Sequence, residues 1–234
     1  MKKITWAGLV LMSAACMHAQ DKQSFSVARY VALYDLTPCY ELTPENVLAE
    51  LTTIYKAAAY EDYIAEPVSQ LEHALQAAQQ AMYAFGQNGI DEDNIIAALL
   101  HDIGHRYAGK NVQQMDGFGV ADHDKIGAAF LAARGFSDKV VALIAGHVDA
   151  KRYRVFKDKD YHDKLTYASQ QTLIRQGGPM DAKEAEAFEK KPYFEQILLI
   201  RSWEEHAKTP GAQTPPFSFF ADMMMRHLQK NCSK

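Results

Sequence analysis

An all-α fold is the class this sequence predicts, and three observations carry that reading. No stretch alternates apolar and polar residues with period two over five or more positions. Apolar residues recur instead at helical spacing, with Ser, Thr or Asp before each run and Gly after several of them. At 234 residues and 48% hydrophobic content the chain can bury one good core, whereas two full domains would be a squeeze. A compact bundle of roughly eight helices is the natural packing for this many short amphipathic segments.

The elements follow in order. Residues 20–43 lack a clear period and carry Pro38, so they read as a loosely ordered lead-in to a domain over 44–234. Thr43-Pro44-Glu45 starts the first helix with a cap and a proline at its first position, followed by apolar Val47, Leu48, Leu51 and Ile54. Tyr60 to Pro67 is a connector that holds Tyr63 and Glu66. Ser69-Gln70-Leu71-Glu72 is a capping box, and the helix it opens carries His73 beside a core stripe of Leu71, Leu75, Ala78 and Met82. Asp91 caps a helix whose apolar run Ile95 to Leu100 leads to His101 and Asp102 in the last turn, with Gly104 closing it. Asp122 caps residues 123–134, which puts His123 in a first turn, and Ser137 caps a helix that carries His147 in its last turn. A helix between residues 164 and 176 sets Ser169 and Thr172 one turn apart before Gly177-Gly178-Pro179 stops it. Asp181 with Glu184 opens a short helix. Pro192 to Lys208 then aligns Arg201, Glu204 and Lys208 on one helical stripe, and Phe219 to Leu228 closes the bundle.

At the other end, Met1-Lys2-Lys3 and the apolar residues 4–17 have the layout of a secretory signal with a cut after Ala19. That predicts an exported, periplasmic protein. Ser13-Ala14-Ala15-Cys16 also resembles a lipoprotein cleavage site, with serine where that pattern has leucine, and a misassigned start would leave the protein cytoplasmic. The segment is too short to span a bilayer comfortably. Cys39 and Cys232 would remain, enough for one disulfide, though two unpaired thiols account for them equally well. A net charge of -4 with no basic block argues against a nucleic-acid or anionic-membrane partner and for a small molecule. Oligomeric state is open.

Burying His101 and Asp102 behind an unbroken apolar run costs several kcal/mol unless the pair is compensated, and a bound cation is the usual compensation. His73, His123 and His147, each alone, would read as hydrogen-bonded core histidines; together with His101 and Asp102 they read as a metal centre. Imidazole and carboxylate suit a first-row cation, and the absence of cysteine ligands argues against a structural zinc knot. One metal needs three or four ligands, so these five with Glu204 suffice for two. A carboxylate that bridges both would explain why Asp102 adjoins a histidine.

The order His73, His101-Asp102, His123, His147 and a late acid resembles the HD-domain superfamily, specifically its six-ligand branch with two metals. Within that branch, the run from Tyr63 through Glu66 to His73 and the run from Gln176 to Met180 look like the mixed-valent diiron oxygenases that act on 1-hydroxyphosphonates. The resemblance covers about residues 44–228 and implies a compact HD-domain helical bundle holding two iron ions as an Fe(II)/Fe(III) pair. His73, His101 and Glu204 would hold one iron, His123 and His147 the other, and Asp102 would bridge. Glu204 stands where the family has an aspartate one methylene shorter. Tyr63 would occupy an iron position until substrate displaces it, Glu66 would face the substrate's ammonium end, and His105 would lie nearby. Lys151, Ser169, Thr172 and Arg201 would bind the phosphonate, and two cations with two hydroxyls do make a sensible cradle for a dianion. Lys208 joins this set because more distant relatives use a lysine for substrate.

The implied reaction is O2-dependent cleavage of the C–P bond of a 1-hydroxy-2-aminoethylphosphonate-type substrate, releasing phosphate. Two rival readings are a metal-dependent HD phosphohydrolase acting on a phosphate ester and a catalytically silent protein that binds metal or phosphonate.

Overall fold

The structure is a computed structural model that describes residues 25–63, 65–106 and 112–232. The signal segment 1–19 and Cys16 lie outside the described residues, as does the side chain of Cys232; Cys39 is exposed and free. Eleven α-helices follow one another among the described residues. They are α1 Val27–Tyr34, α2 Pro44–Ala58, α3 Gln70–Tyr83, α4 Glu92–Leu100, α5 His123–Ala132 and α6 Asp138–Lys157. After these come α7 Lys159–Lys164, α8 Tyr167–Arg175, α9 Ala182–Glu189, α10 Phe194–Glu205 and α11 Phe217–Cys232. The predicted all-α class is the observed one, with more and shorter helices than expected.

The centre of the bundle is α4. Ile95, Ile96, Ala97, Ala98, Leu99 and Leu100 are all buried, and a helix apolar on every side must be enclosed by others. It is flanked by α3, α6, α10 and α11. Asp91 caps its start by accepting from Asp93 N–H, and Asn94 closes the box. His101 caps its other end, so the His-Asp pair emerges in the middle of the molecule. On either side, α3 packs against α10 and α5 against α6, while α6 packs against α10. A small second cluster of Val155, Leu165 and Leu173 ties α7 and α8 under the end of α6.

The Ser69 box is intact: its hydroxyl accepts from Glu72 N–H at 3.1 Å while Glu72 accepts from Ser69 N–H at 2.7 Å. It fixes the first turn of α3, where His73 sits. Replacing Ser69 with alanine is expected to cost about 1 kcal/mol and to lower Tm by about 2–4 °C, measured by thermal melting.

Several expectations need correction. From residue 25 on, the lead-in is ordered: α1 packs on α5, and Leu36 belongs to the main core. His147 lies mid-way along α6, because the polar residues after it line sites instead of ending the helix. Asp122 precedes α5 without a side-chain cap bond and instead accepts from the Tyr30 hydroxyl at 3.4 Å. Gly104 is no left-handed cap. It lies in a 3-10 turn, Ile103–Arg106, where a Cβ would stand 1.9 Å from the His123 carbonyl oxygen and 2.8 Å from Gly127 N. Lys208 is off the stripe of Arg201 and Glu204, because α10 ends at Glu205.

Candidate metal centre

Four histidine rings from α3, the end of α4, the start of α5 and the middle of α6 converge around Asp102. Each turns its Nδ1 to a backbone carbonyl: His73 to Ala207 at 2.9 Å, His101 to Ala98 at 2.8 Å, His123 to Val120 at 3.0 Å and His147 to Ile144 at 2.8 Å. Only a protonated Nδ1 can make that bond, so the lone pair of each neutral ring lies on Nε2. The Nε2 atoms meet in two pairs, His73 with His101 at 3.1 Å and His123 with His147 at 3.0 Å. Two lone pairs at that distance repel unless a cation sits between them. Nitrogens about 2.1 Å from one cation and at right angles to each other would be about 3 Å apart.

Asp102 serves both pairs. Its Oδ2 lies 3.6 Å from His73 and 3.3 Å from His101, and its Oδ1 lies 3.4 Å from His123 and 3.6 Å from His147. Oδ2 is buried and accepts no hydrogen bond, and Oε2 of buried Glu204 is in the same condition. Both orphaned oxygens fit the need for a cation. Burial opposes charge on His101, yet Asp102 overrides it and pushes the ring up to about 9. Burial holds His73 and His147 down to about 4, and His123 well below its ordinary value, which keeps their lone pairs free for a metal.

His105 also faces Asp102, at 4.0 Å, but its chemistry differs. Its Nδ1 accepts from Val120 N–H at 3.0 Å, so the proton of the neutral ring is on Nε2. Burial keeps it neutral by pulling it down to about 4. His105 is therefore a donor towards the pocket, stacked on His123 with centroids 3.9 Å apart. Tyr63 stacks in the same way on His73, at 3.9 Å. Burial, with Asp102 and Glu204 nearby, raises the Tyr63 phenol well above its ordinary value. The loop that presents it is closed by Tyr63 N–H to Val68 O at 2.8 Å and by Glu66 N–H to Tyr63 O at 2.9 Å, with Ala65 at φ 54°.

The facing wall of the pocket comes from α6, α8 and α10. Lys151 is 3% exposed and donates to the Thr172 hydroxyl at 2.7 Å. Burial and the neighbouring Arg201 pull its ammonium down to about 7. Arg201, 2% exposed, reaches Ser169 Oγ at 3.4 Å and Glu205 at 2.8 Å, and it also pairs with Glu204. Burial works against the charge of Glu204, but Arg201, His147 and His101 hold its carboxyl down to about 2. Lys208 comes in from beyond α10 and pairs with Glu66 at 2.8 Å.

These fourteen sequence-selected residues (Tyr63, Glu66, His73, His101, Asp102, His105, His123, His147, Lys151, Ser169, Thr172, Arg201, Glu204 and Lys208) thus surround one centre. The pocket beside it measures about 40 Å³ and is also lined by Phe118, Val148, Ala168 and Gln176. Sequence reasoning singled out Gln176 only as the start of a motif. Its buried side-chain oxygen and nitrogen have no partner, and its spacing from Ser169 and Thr172, i+7 and i+4, was the available signal.

An all-helical bundle with histidine pairs on either side of a carboxylate defines the class, and the comparisons agree: the chain belongs to the HD-domain family, whose model matches residues 71–186. It is a metal-binding enzyme of the dioxygenase kind, taking a small molecule and O2. Over 191 residues it is 36% identical to the [1-hydroxy-2-(trimethylamino)ethyl]phosphonate dioxygenase (glycine-betaine-forming) of Leisingera caerulea, covering 82% of this chain and 95% of the relative. It is 40% identical over 152 residues to the hydroxymethylphosphonate dioxygenase of Gimesia maris, covering 64% and 73%. An uncharacterized protein of Acanthamoeba polyphaga mimivirus is 33% identical over 203 residues, covering 85% and 91%. No helix among the described residues is long and apolar enough to cross a membrane.

Proposed function

We propose that the protein oxidatively cleaves the C–P bond of a 1-hydroxyphosphonate at a pair of iron ions. Both atoms of O2 enter the products: the hydroxyl-bearing carbon becomes a carboxylate and phosphorus becomes phosphate. The observation that carries this reading is Asp102, with one carboxylate oxygen towards each histidine pair. His73 and His101 would hold one ion with Glu204, and His123 and His147 the other. The metal pair supplies the redox chemistry that a bond without a good leaving group requires.

The chain's own groups handle the substrate. Lys151, Arg201, Ser169 and Thr172 present two cations and two hydroxyls from one wall, which suits a dianionic phosphonate. Arg201 is held rigid by Glu205, so little order is lost on binding. The His105 Nε2–H points into the pocket as a further donor. Tyr63 lies over His73 and keeps its proton, because burial, with Asp102 and Glu204 nearby, disfavours the phenolate.

The test is metal analysis with electron paramagnetic resonance of the purified protein. A mixed-valent diiron signal perturbed by a hydroxyphosphonate, and phosphate release only with iron and O2, is the expected result. A single zinc or manganese ion, or anaerobic phosphate release from a phosphate ester, would overturn the reading.

Lys151 adds a pH dependence with a definite sign. Its ammonium loses its proton near pH 7 in the free protein, so above that pH phosphonate binding must take up a proton and weakens, by up to about tenfold per unit. Lys151→Arg stays charged, and the ionisation of the ligand is common to both proteins. Anaerobic equilibrium binding between pH 6 and 9 is expected to show wild type losing affinity relative to Lys151→Arg as pH rises, with metal content equal in the two.

A further inference from the structure

One part of the pocket lining is occupied by a piece of the chain that resembles a ligand. The Lys208 ammonium lies 2.8 Å from Glu66 Oε1 and 3.2 Å from Thr166 Oγ1, and 5.8 Å from the centroid of the Tyr63 ring. Glu66 and Lys208 side chains are 8% and 12% exposed. A carboxylate, a hydroxyl and an aromatic face are what a bound organic ammonium would seek, and here all three serve the protein's own amine.

We propose that the Lys208–Glu66 pair sets the substrate class: a small 1-hydroxyphosphonate whose carbon bears hydrogen or a small uncharged group, with amine-bearing analogues excluded. The inference rests on the phosphonate reading above and narrows it. The other carboxylates of the pocket are less open to an amine: Asp102 lies among four histidines and Glu204 pairs with Arg201, and the unbonded oxygen of each is assigned to a metal in the reading above. A substrate ammonium would therefore have to displace Lys208 and leave that largely covered charge with only the Thr166 hydroxyl, which is costly. Of the two named relatives, one takes its name from a trimethylamino compound and the other from hydroxymethylphosphonate. The Lys208–Glu66 pair puts this chain with the second kind of substrate.

The iron-loaded protein is to be assayed for phosphate release from hydroxymethylphosphonate and from 2-amino-1-hydroxyethylphosphonate, with anaerobic equilibrium binding of both. Wild type is expected to favour hydroxymethylphosphonate by about 100-fold in kcat/KM, the scale set by leaving one covered polar group without its partner. Lys208→Met frees Glu66 and is expected to narrow that ratio by about tenfold or more, through gain on the amine substrate as well as loss on the other. In the Glu66→Gln/Lys208→Met double variant the gain on the amine disappears, which a general loosening of the pocket would not produce. Wild type that binds and turns over the amine as well as hydroxymethylphosphonate would overturn the proposal, whether or not Lys208→Met folds. An unchanged ratio in a folded Lys208→Met protein would overturn it too. Phosphate from neither compound, with two irons bound, would instead sink the phosphonate reading itself.

Discussion

On the two-metal reading proposed above, Asp102→Asn is expected to reduce the metal content of the purified protein to one ion per chain or none and to cut activity by more than about 100-fold. Groups that only orient a ligand are worth about 10–100-fold in affinity or activity, and Asp102 is proposed as a ligand itself, with an oxygen towards each histidine pair. The amide keeps the shape but offers one neutral oxygen and an N–H2 that repels a cation. A second readout is available in the metal-free protein. There Asp102 raises His101 to about 9 against burial, so the stability this histidine contributes is complete below its ordinary value near 6.5 and is lost as pH rises towards 9. In the variant the His101 titration moves down and that contribution shrinks. Metal analysis and NMR titration of the ring measure the two effects, and full metal content in Asp102→Asn would contradict a bridging role.

Gly104→Ala is the second large effect. The new methyl would stand 1.9 Å from the His123 carbonyl oxygen and 2.7 Å from its carbon, and backbone at the start of a packed helix cannot step aside as a side-chain tip can. Overpacking of this kind costs about 3 kcal/mol or more. Because the clash is with the residue that carries a donor ring, relief displaces His123. The expected result is a lower Tm in the metal-free protein together with weaker binding of one metal. Thermal melts and metal titration check it, and a wild-type Tm would refute the close approach.

The lesson about legibility comes from the same residues. Helix caps and apolar spacing locate His73, His101 and His123 beside helix ends, and the capping boxes at Ser69 and Asp91 are where the pattern puts them. Local rules fail where tertiary contacts decide. Gly104 has the place of a C-cap but is required by a neighbouring helix. The stripe of Arg201 and Glu204 extrapolates to Lys208 only if α10 continues, and it stops at Glu205. His227 of α11 is buried, bonded to Asp93 at 3.0 Å and to Ser137 N–H at 3.1 Å, partners about 90 or more residues away that no local pattern reveals. α1 escapes notice because it has no buried residue of its own and lies against α5 with partly covered side chains. The pairing of histidines, two and two across Asp102, is not a property of spacing at all; it follows from how α3, α4, α5 and α6 cross.

The carbonyls that hold the rings divide the centre by chain distance. Three histidines are turned by an oxygen three residues earlier in their own segment, while His73 depends on Ala207, 134 residues away. The His123–His147 half is therefore finished once two consecutive helices have met, early in folding and with little loop to close. The other half waits for the last third of the chain to return across α3. The two histidine pairs are thus of unequal age in the folding of the protein, and the later pair is the one that fraying beyond α10 would surrender first.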